Sequence, residues 1–465
     1  MKKNLFFFLI LFNCNFLFCQ QEFIIKEIQI LGNKITKEDI ILRELSFVKN
    51  QPYTKEKLIT EIEKSTENLI NLRLFNFVNI VESANQERIT IHVIERWYIW
   101  PYPILEIYER NFNTWWQEFK ESNYSDFSRL NYGVFLNWEN FRGKNELIKL
   151  KIRKGFKEHF LISYNAPYIN KEKTIGTNTY IQLFKRKKTF FKTINDSLIY
   201  YTNNDKYTSR DYEIYFELFF RKNIHKTHNL ILNYHFSNID LNITLENPYY
   251  LNNNNNTGSY SSVKYKFTNE NRDYIQYPLN GYYINLEAAK YFGITTDINH
   301  YEIISQIEKH NKLQNRLFLG SSFKFKWSSN GYQPYFFQKG LGFDDYVRGY
   351  EYYVIDGQNF WLSKTVFKYL LIEKTTFDIP YIKMSQFKKS HYSLFLGLFS
   401  DMGYVIDNQN QRNSNLSNGL LWGNGLSIDY VTYYDKLIRI EFSINHLGEK
   451  GVFLHFSNPF GETKK

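Results

Sequence analysis

The sequence predicts a membrane β-barrel of about sixteen antiparallel strands preceded by one small α/β domain. Three observations carry that expectation. Aromatic residues make up 19% of the 465-residue chain, yet its mean hydropathy is −0.48. Beyond the N-terminus, no apolar run approaches the roughly twenty residues a membrane helix needs. From Trp97 onward, apolar and polar residues alternate with period two between polar loops. A lipid-facing stripe opposite a polar lumen, with aromatic girdles, produces that texture. A tyrosine-rich soluble all-β protein would share the composition, so strand order and motifs must decide.

Residues 1–19 read as a secretory signal. Lys2 and Lys3 are its charged region, Leu5–Phe12 its apolar one, and cleavage is expected near Cys19-Gln20. Both cysteines, Cys14 and Cys19, fall inside it, so the mature chain is expected to carry no thiol. Acylation of Cys19 is the alternative, disfavoured by bulky Phe18 before it. The net charge of +11 is spread along strands and loops. It suits a polar lumen or anionic headgroups rather than nucleic acid.

Residues 22–96 read as an α/β domain of order β-α-α-β-β. Phe23 to Leu31 is its first strand. Thr36 and Asp39 have capping-box spacing for a short helix. Thr54 opens a second helix, in which Leu58, Ile62, Leu69 and Leu72 share one face. In Arg88 to Glu95, Ile89, Ile91 and Val93 alternate with Thr90, His92 and Ile94. Ile30-Leu31-Gly32-Asn33 and Leu72-Arg73-Leu74-Phe75-Asn76-Phe77-Val78 resemble the POTRA domain that precedes outer-membrane assembly barrels.

Residues 97–460 read as the barrel and 461–465 as a short tail. Tyr212, Ile214, Phe216, Leu218 and Phe220 form one lipid-facing stripe, with Glu213, Tyr215 and Glu217 between them. Leu230 to Phe236 repeats the pattern. So does Ser321 to Ser328, with Phe323, Phe325 and Trp327 outward and Lys324 and Lys326 inward. Tyr201–Arg210, Asn252–Asn256 and Asp407–Asn418 read as loops. The first barrel strand is expected near Pro103 to Arg110, and the last over Gly451 to Ser457.

Six motifs then fall in a recognisable order. They are Trp138-Glu139-Asn140-Phe141-Arg142-Gly143, Asn271-Arg272-Asp273 with Pro278 and Gly281, Val347-Arg348-Gly349-Tyr350, Phe399-Ser400-Asp401-Met402-Gly403, Gly423-Asn424-Gly425-Leu426, and the closing Val452 to Phe460. Together they resemble the BamA/TamA family of outer-membrane protein assembly factors, in a short single-POTRA form. The resemblance implies an inward loop at Val347, Arg348, Gly349 and Tyr350, with Asp401 as the arginine's partner. It also implies a mid-barrel turn at Asn271, Arg272, Asp273, Pro278 and Gly281, a late-strand glycine at Gly403, and a C-terminal strand carrying Gly451, Phe453, Phe456 and Phe460. A second acidic partner is open, because Leu362-Ser363-Lys364-Thr365 holds no carboxylate. Glu351 and Glu373 are the substitutes at hand.

By that resemblance the expected function is insertion of client barrel proteins by strand addition at the barrel seam. The expected location is the outer membrane, with the POTRA domain in the periplasm. Expected partners are the lipid bilayer and unfolded outer-membrane or secreted clients, with docking to periplasmic chaperones or lipoproteins left open. The alternative is a two-partner-secretion pore exporting one dedicated protein. One POTRA domain, with no plug helix between Gln20 and Phe23, argues against it. No enzyme activity, cofactor, metal or nucleic acid is expected: the ten histidines are scattered, and no phosphate loop or nucleophile elbow occurs.

Overall fold

The computed structural model describes residues 22–83, 87–107, 119–125, 130–203, 205–251, 255–329, 333–408, 414–434 and 436–457. The expected leader, Phe460 and the tail lie outside them. The N-terminal domain comprises β1 (Glu22–Ile24), β2 (Glu27–Leu31), α1 (Glu38–Arg43), β3 (Pro52–Thr54), α2 (Lys55–Asn71), β4 (Phe75–Glu82) and β5 (Arg88–Glu95). Its sheet has the order β2-β5-β4, with β2 parallel and β4 antiparallel to the central strand. Period two puts Ile89, Ile91 and Val93 on the covered face. There they meet Leu58 and Leu69 of α2 and Ile40 and Ile41 of α1. Thr54 caps α2 by accepting from the Lys57 amide.

Two local expectations fail. The stretch from Phe23 to Leu31 is two strands, and β1 leaves the main sheet to pair with β3. Thr36 caps no helix. The residue before α1 is Lys37, which makes no side-chain cap, and the Thr36 hydroxyl donates to Glu95 Oε1 at 2.6 Å instead. The same buried carboxylate accepts from the amides of Lys34, Ile35 and Thr36. A charged acceptor inside the fold outcompetes a solvent-side cap box.

The rest of the chain is β6 (Ile99–Ile107), β7 (Leu130–Phe141), β8 (Glu146–Gly155), β9 (Lys157–Ala166), β10 (Ile175–Arg186), β11 (Lys188–Ile194), β12 (Ser197–Thr202), β13 (Ser209–Phe220), β14 (Lys226–Ile239), α3 (Leu241–Glu246), β15 (Thr257–Glu270), β16 (Gly281–Gly293), β17 (Asn299–Lys312), β18 (Leu317–Ser328), β19 (Lys339–Leu341), β20 (Ile355–Asp356), β21 (Asn359–Asp378), α4 (Ser385–Lys388), β22 (Lys389–Ile406), β23 (Leu420–Thr432), β24 (Lys436–Asn445) and β25 (Lys450–Ser457). Sixteen of these strands form one antiparallel sheet running in chain order from β6 to β25. The pairs β11–β12 and β19–β20 stand apart as small hairpins. Tyr201 and Arg210, read from sequence as loop, belong to β12 and β13.

Alternation sorts the side chains as a barrel requires. Tyr212, Ile214, Phe216 and Phe220 are exposed on the outer wall, while Glu213 between them is buried. Phe323, Phe325 and Trp327 face out, and Lys326 is buried inside. Tight turns meet the POTRA domain at one end of the barrel. Long loops and the β11–β12 hairpin gather at the far end. There the Asp196 carbonyl at the hairpin tip accepts from the Val354 amide, and its carboxylate accepts from Ser414 and from the Asn415 and Leu416 amides.

The first strand begins at Ile99, earlier than the Pro103 expected. Among the described residues no ladder joins β6 to β25. The two ends of the sheet nevertheless curl together at the POTRA end. The Trp97 amide donates to the Tyr434 hydroxyl at 3.1 Å, and the Trp100 and Tyr434 rings meet edge-on at 5.5 Å.

Candidate functional site: the lumen charge chain

The connection from β18 to β21 folds back into the barrel. Leu341, Val347, Tyr350 and Ile355 on the loop pack against Phe360, Leu362, Val405 and Leu421 of the wall. Two glycine features allow the approach. Gly349 takes φ +94°, a left-handed conformation costly for other residues. Opposite it on β23, a Cβ at Gly423 would lie 1.9 Å from the Arg348 carbonyl oxygen.

This positioning carries Arg348 into the wall. Its Nε and Nη2 donate to the two Asp401 oxygens at 2.8 and 2.6 Å, and its amide donates to Oδ2 at 3.2 Å. The guanidinium carbon sits 3.7 Å from the Phe399 ring centroid. Asp401 is wholly buried and Arg348 nearly so. A fork-to-fork pair stacked on an aromatic face suits arginine and not lysine. Gly403 follows on the same strand, packed under Val347.

The second acid is Glu441 on β24, with Oε1 3.6 Å from Arg348 Nη1. Neither substitute read from the sequence fills that place. Glu351 turns back to accept from the Gly349 amide at 2.9 Å, and Glu373 pairs with Arg316 on the exposed surface. From Glu441 the charges continue. Arg439 Nη1 lies 3.7 Å from Glu441 Oε1, and Arg439 makes its own two-pronged pair with Asp429 at 2.7 and 2.8 Å. The Tyr277 hydroxyl donates to Asp429 at 2.7 Å.

Tyr277 belongs to the mid-barrel turn, so the chain runs the length of the lumen. It links the far-end loop to a POTRA-end turn through two residues of β24, one strand from the end of the sheet. His455 on β25 extends it, with Nε2 3.0 Å from Glu441 Oε2. Glu351, Glu441 and His455 bring three possible metal-ligand atoms within 4.8 Å of one another. Arg348 and Arg439 already approach Glu441 from its other oxygen. Burial, with Glu441 adding to it, pushes the Glu351 carboxyl up to about 7.

The remaining motif residues serve other ends. Asn271, Arg272 and Asp273 brace the domain joint: Asn71 of α2 donates to the carbonyls of Arg272 and Asp273 at 3.3 and 3.2 Å. Arg272 itself pairs with Glu270 and Glu308. Pro278 accepts from Lys368 at 3.0 Å, and Gly281 starts β16 at φ +104°. On β25, Phe453 is buried toward the lumen and Phe456 is exposed outside. Gly451 is the second residue of that strand.

A second buried clasp holds the joint. Glu44, at the end of α1, accepts from Arg221 of the β13–β14 turn at 2.7 and 2.8 Å and from the Tyr168 hydroxyl at 3.0 Å. Arg43 beside it donates to the Arg221 and Lys173 carbonyls. The Trp138–Gly143 motif also faces the domain, Asn140 donating to Thr36 at 2.9 Å. Between α2 and the turns lies a cavity of about 350 Å³ lined by Glu44, Glu67, Asn71, Arg221, Glu270 and Arg272.

One small α/β domain clasped beneath a sixteen-stranded barrel, with a loop locked in the lumen, defines a POTRA-bearing membrane β-barrel. Residues 23–96 match the POTRA family model, described as surface antigen variable number repeat. Over 94% of this chain and 84% of the other, the fold is that of BamA from Haemophilus ducreyi lacking POTRA domains 1–3, at TM-score 0.51 and 12% identity. CdiB from Escherichia coli aligns at TM-score 0.48 and 10% identity, covering 94% of this chain and 90% of its own. CdiB from Acinetobacter baumannii aligns at 0.48 and 11%, covering 94% and 73%. No curated protein matches by sequence.

Proposed function

We propose that this protein inserts client β-barrel proteins into the outer membrane by strand addition at its seam, with the POTRA domain in the periplasm. The observation that carries this reading is a sheet whose first and last strands share no ladder among the described residues. Unpaired strand edges template further strands. The lumen supports the same reading. It is crossed by an inward loop tied to β24 and by the Tyr277 turn tied to β23, so it suits a scaffold beside a seam better than a diffusion channel. Work of this kind needs no chemical step. The clients are unfolded outer-membrane proteins, and the bilayer beside the seam receives them. Export of one dedicated protein would require both plugs to leave the lumen.

The test is folding of an unfolded test barrel protein into liposomes containing wild type, Arg348→Ala or Asp401→Ala. Acceleration by wild type, lost in both variants while their barrels stay folded, is the expected outcome. Peptide conductance without acceleration would replace insertion with export.

A further inference from the structure

The two edges that meet at the seam are chemically unequal. In an antiparallel ladder, alternate residues turn their N–H and C=O toward one neighbour and the residues between turn theirs the other way. The bond from the Glu139 amide to the Tyr98 carbonyl, at 2.7 Å, sets the phase for β6 and β7. Trp100, Tyr102 and Ile104 therefore bond to β7, and Ile99, Pro101, Pro103, Leu105 and Ile107 face the seam. Two consecutive seam-facing positions are proline and have no N–H to offer. A third, Ile99, already has its carbonyl engaged by the Trp97 indole N–H.

The same analysis at the other edge gives the opposite result. The Asn445 amide donates to the Glu449 carbonyl at 3.1 Å, which sets the phase for β24 and β25. Lys450, Val452, Leu454 and Phe456 then face the seam, and each keeps both its donor and its acceptor. Val452 and Phe456 are 66% and 65% exposed, so among the described residues little packs on their outward side chains.

We propose that an incoming client strand adds to the free edge of β25, and that Pro101 and Pro103 close the edge of β6 to it. This rests on the insertion reading and says which side of the seam performs it. A strand laid on β6 would leave two of its carbonyls without partners in hydrocarbon, where each unsatisfied group costs several kcal/mol. A strand laid on β25 loses none. The preferred occupant is an extended client segment with alternating apolar residues that continue the outward row of Val452, Leu454 and Phe456. Proline on a sheet edge is also a known guard against unwanted pairing. Here it guards one side only.

Thiol crosslinking tests this directly, since the cysteines at 14 and 19 are the sequence's two. The full chain carrying Val452→Cys, Phe456→Cys, Ile99→Cys or Leu105→Cys is placed in liposomes, and a test barrel protein with one cysteine in a terminal strand is captured during folding. The expected result is client crosslinking at Val452→Cys and Phe456→Cys exceeding that at Ile99→Cys and Leu105→Cys by at least about tenfold. Restoring donors with Pro101→Val and Pro103→Val should raise capture at Leu105→Cys; the comparison in the unaltered β6 stands even where that variant does not fold. Equal or greater capture at β6, or crosslinks between two copies of this chain in place of client, would overturn the proposal. Accelerated folding with no capture at either edge would overturn it while leaving insertion standing. Absent acceleration by wild type, insertion itself fails.

Discussion

Two of the buried arginine–carboxylate clasps, one in the lumen and one at the domain joint, differ in what surrounds them. Arg348–Asp401 and Arg221–Glu44 are both two-pronged, and both acids are almost fully buried. Arg221 finishes its bonding locally, on the Ile224 carbonyl and the Tyr168 hydroxyl. Arg348 instead passes to Glu441, and through Arg439 and Asp429 to Tyr277. One clasp bolts a domain to a turn. The other is a node in a chain that spans the lumen. Similar pair geometry thus serves two mechanical purposes, and the neighbours decide which.

Breaking the node should give the largest effect. Asp401→Ala strands a buried guanidinium, and the inward loop should lose about 3–5 kcal/mol of docking energy. Limited proteolysis of the folded barrel checks this, with new cleavage expected between residues 342 and 358. Arg221→Ala leaves Glu44 buried beside Arg43 and Tyr168. With Arg221 itself 22% exposed, solvent screening lowers the expected cost to about 2–3 kcal/mol. Its readout differs: a spin-label distance between POTRA and barrel should broaden while the barrel's melting is unchanged.

Tyr277→Phe sharpens the contrast further. It removes one hydrogen bond to a charged acceptor, about 1.5 kcal/mol, at the opposite end of the chain from Arg348. If the chain acts as one unit, loop protection at 342–358 falls as well; a purely local effect would show it to be a row of separate pairs. The smallest effect is on pH. Glu351 faces Glu441 and His455 across the lumen and accepts the Gly349 amide. Its carboxyl stands at about 7 in the fold against 4.5 unperturbed. Its contribution to loop docking is therefore fully present below pH 4.5 and lost as pH rises through about 7. Hydrogen exchange of the loop should follow that profile, and Glu351→Gln should flatten it.

What could be read from the sequence follows from where the information lies. Strand alternation is local, so stripes such as Tyr212 to Phe220 are visible in a dozen residues. Arg348 and Asp401 sit in glycine-marked motifs with their own spacing. Glu441, Arg439 and Asp429 have no such mark. Each is a polar residue on a lumen-facing position, and only the register of β23 against β24 brings Asp429 opposite Arg439. Thr36 misled because a helix cap is the commonest use of its spacing, and a carboxylate fifty-nine residues away claimed it first. The first strand starts at Ile99 rather than near Pro103, and its prolines sit within it, on the side where the missing donor disrupts no ladder.

Those two prolines bear on how copies of the protein behave together. A barrel with two open edges could dock its last strand on the first strand of a neighbour. That head-to-tail contact has nothing to close it, and it would propagate into chains of linked barrels across the membrane. Sealing one edge removes the acceptor for such growth. On the proposal above, the sheet then lengthens by a guest strand without concatenating from barrel to barrel.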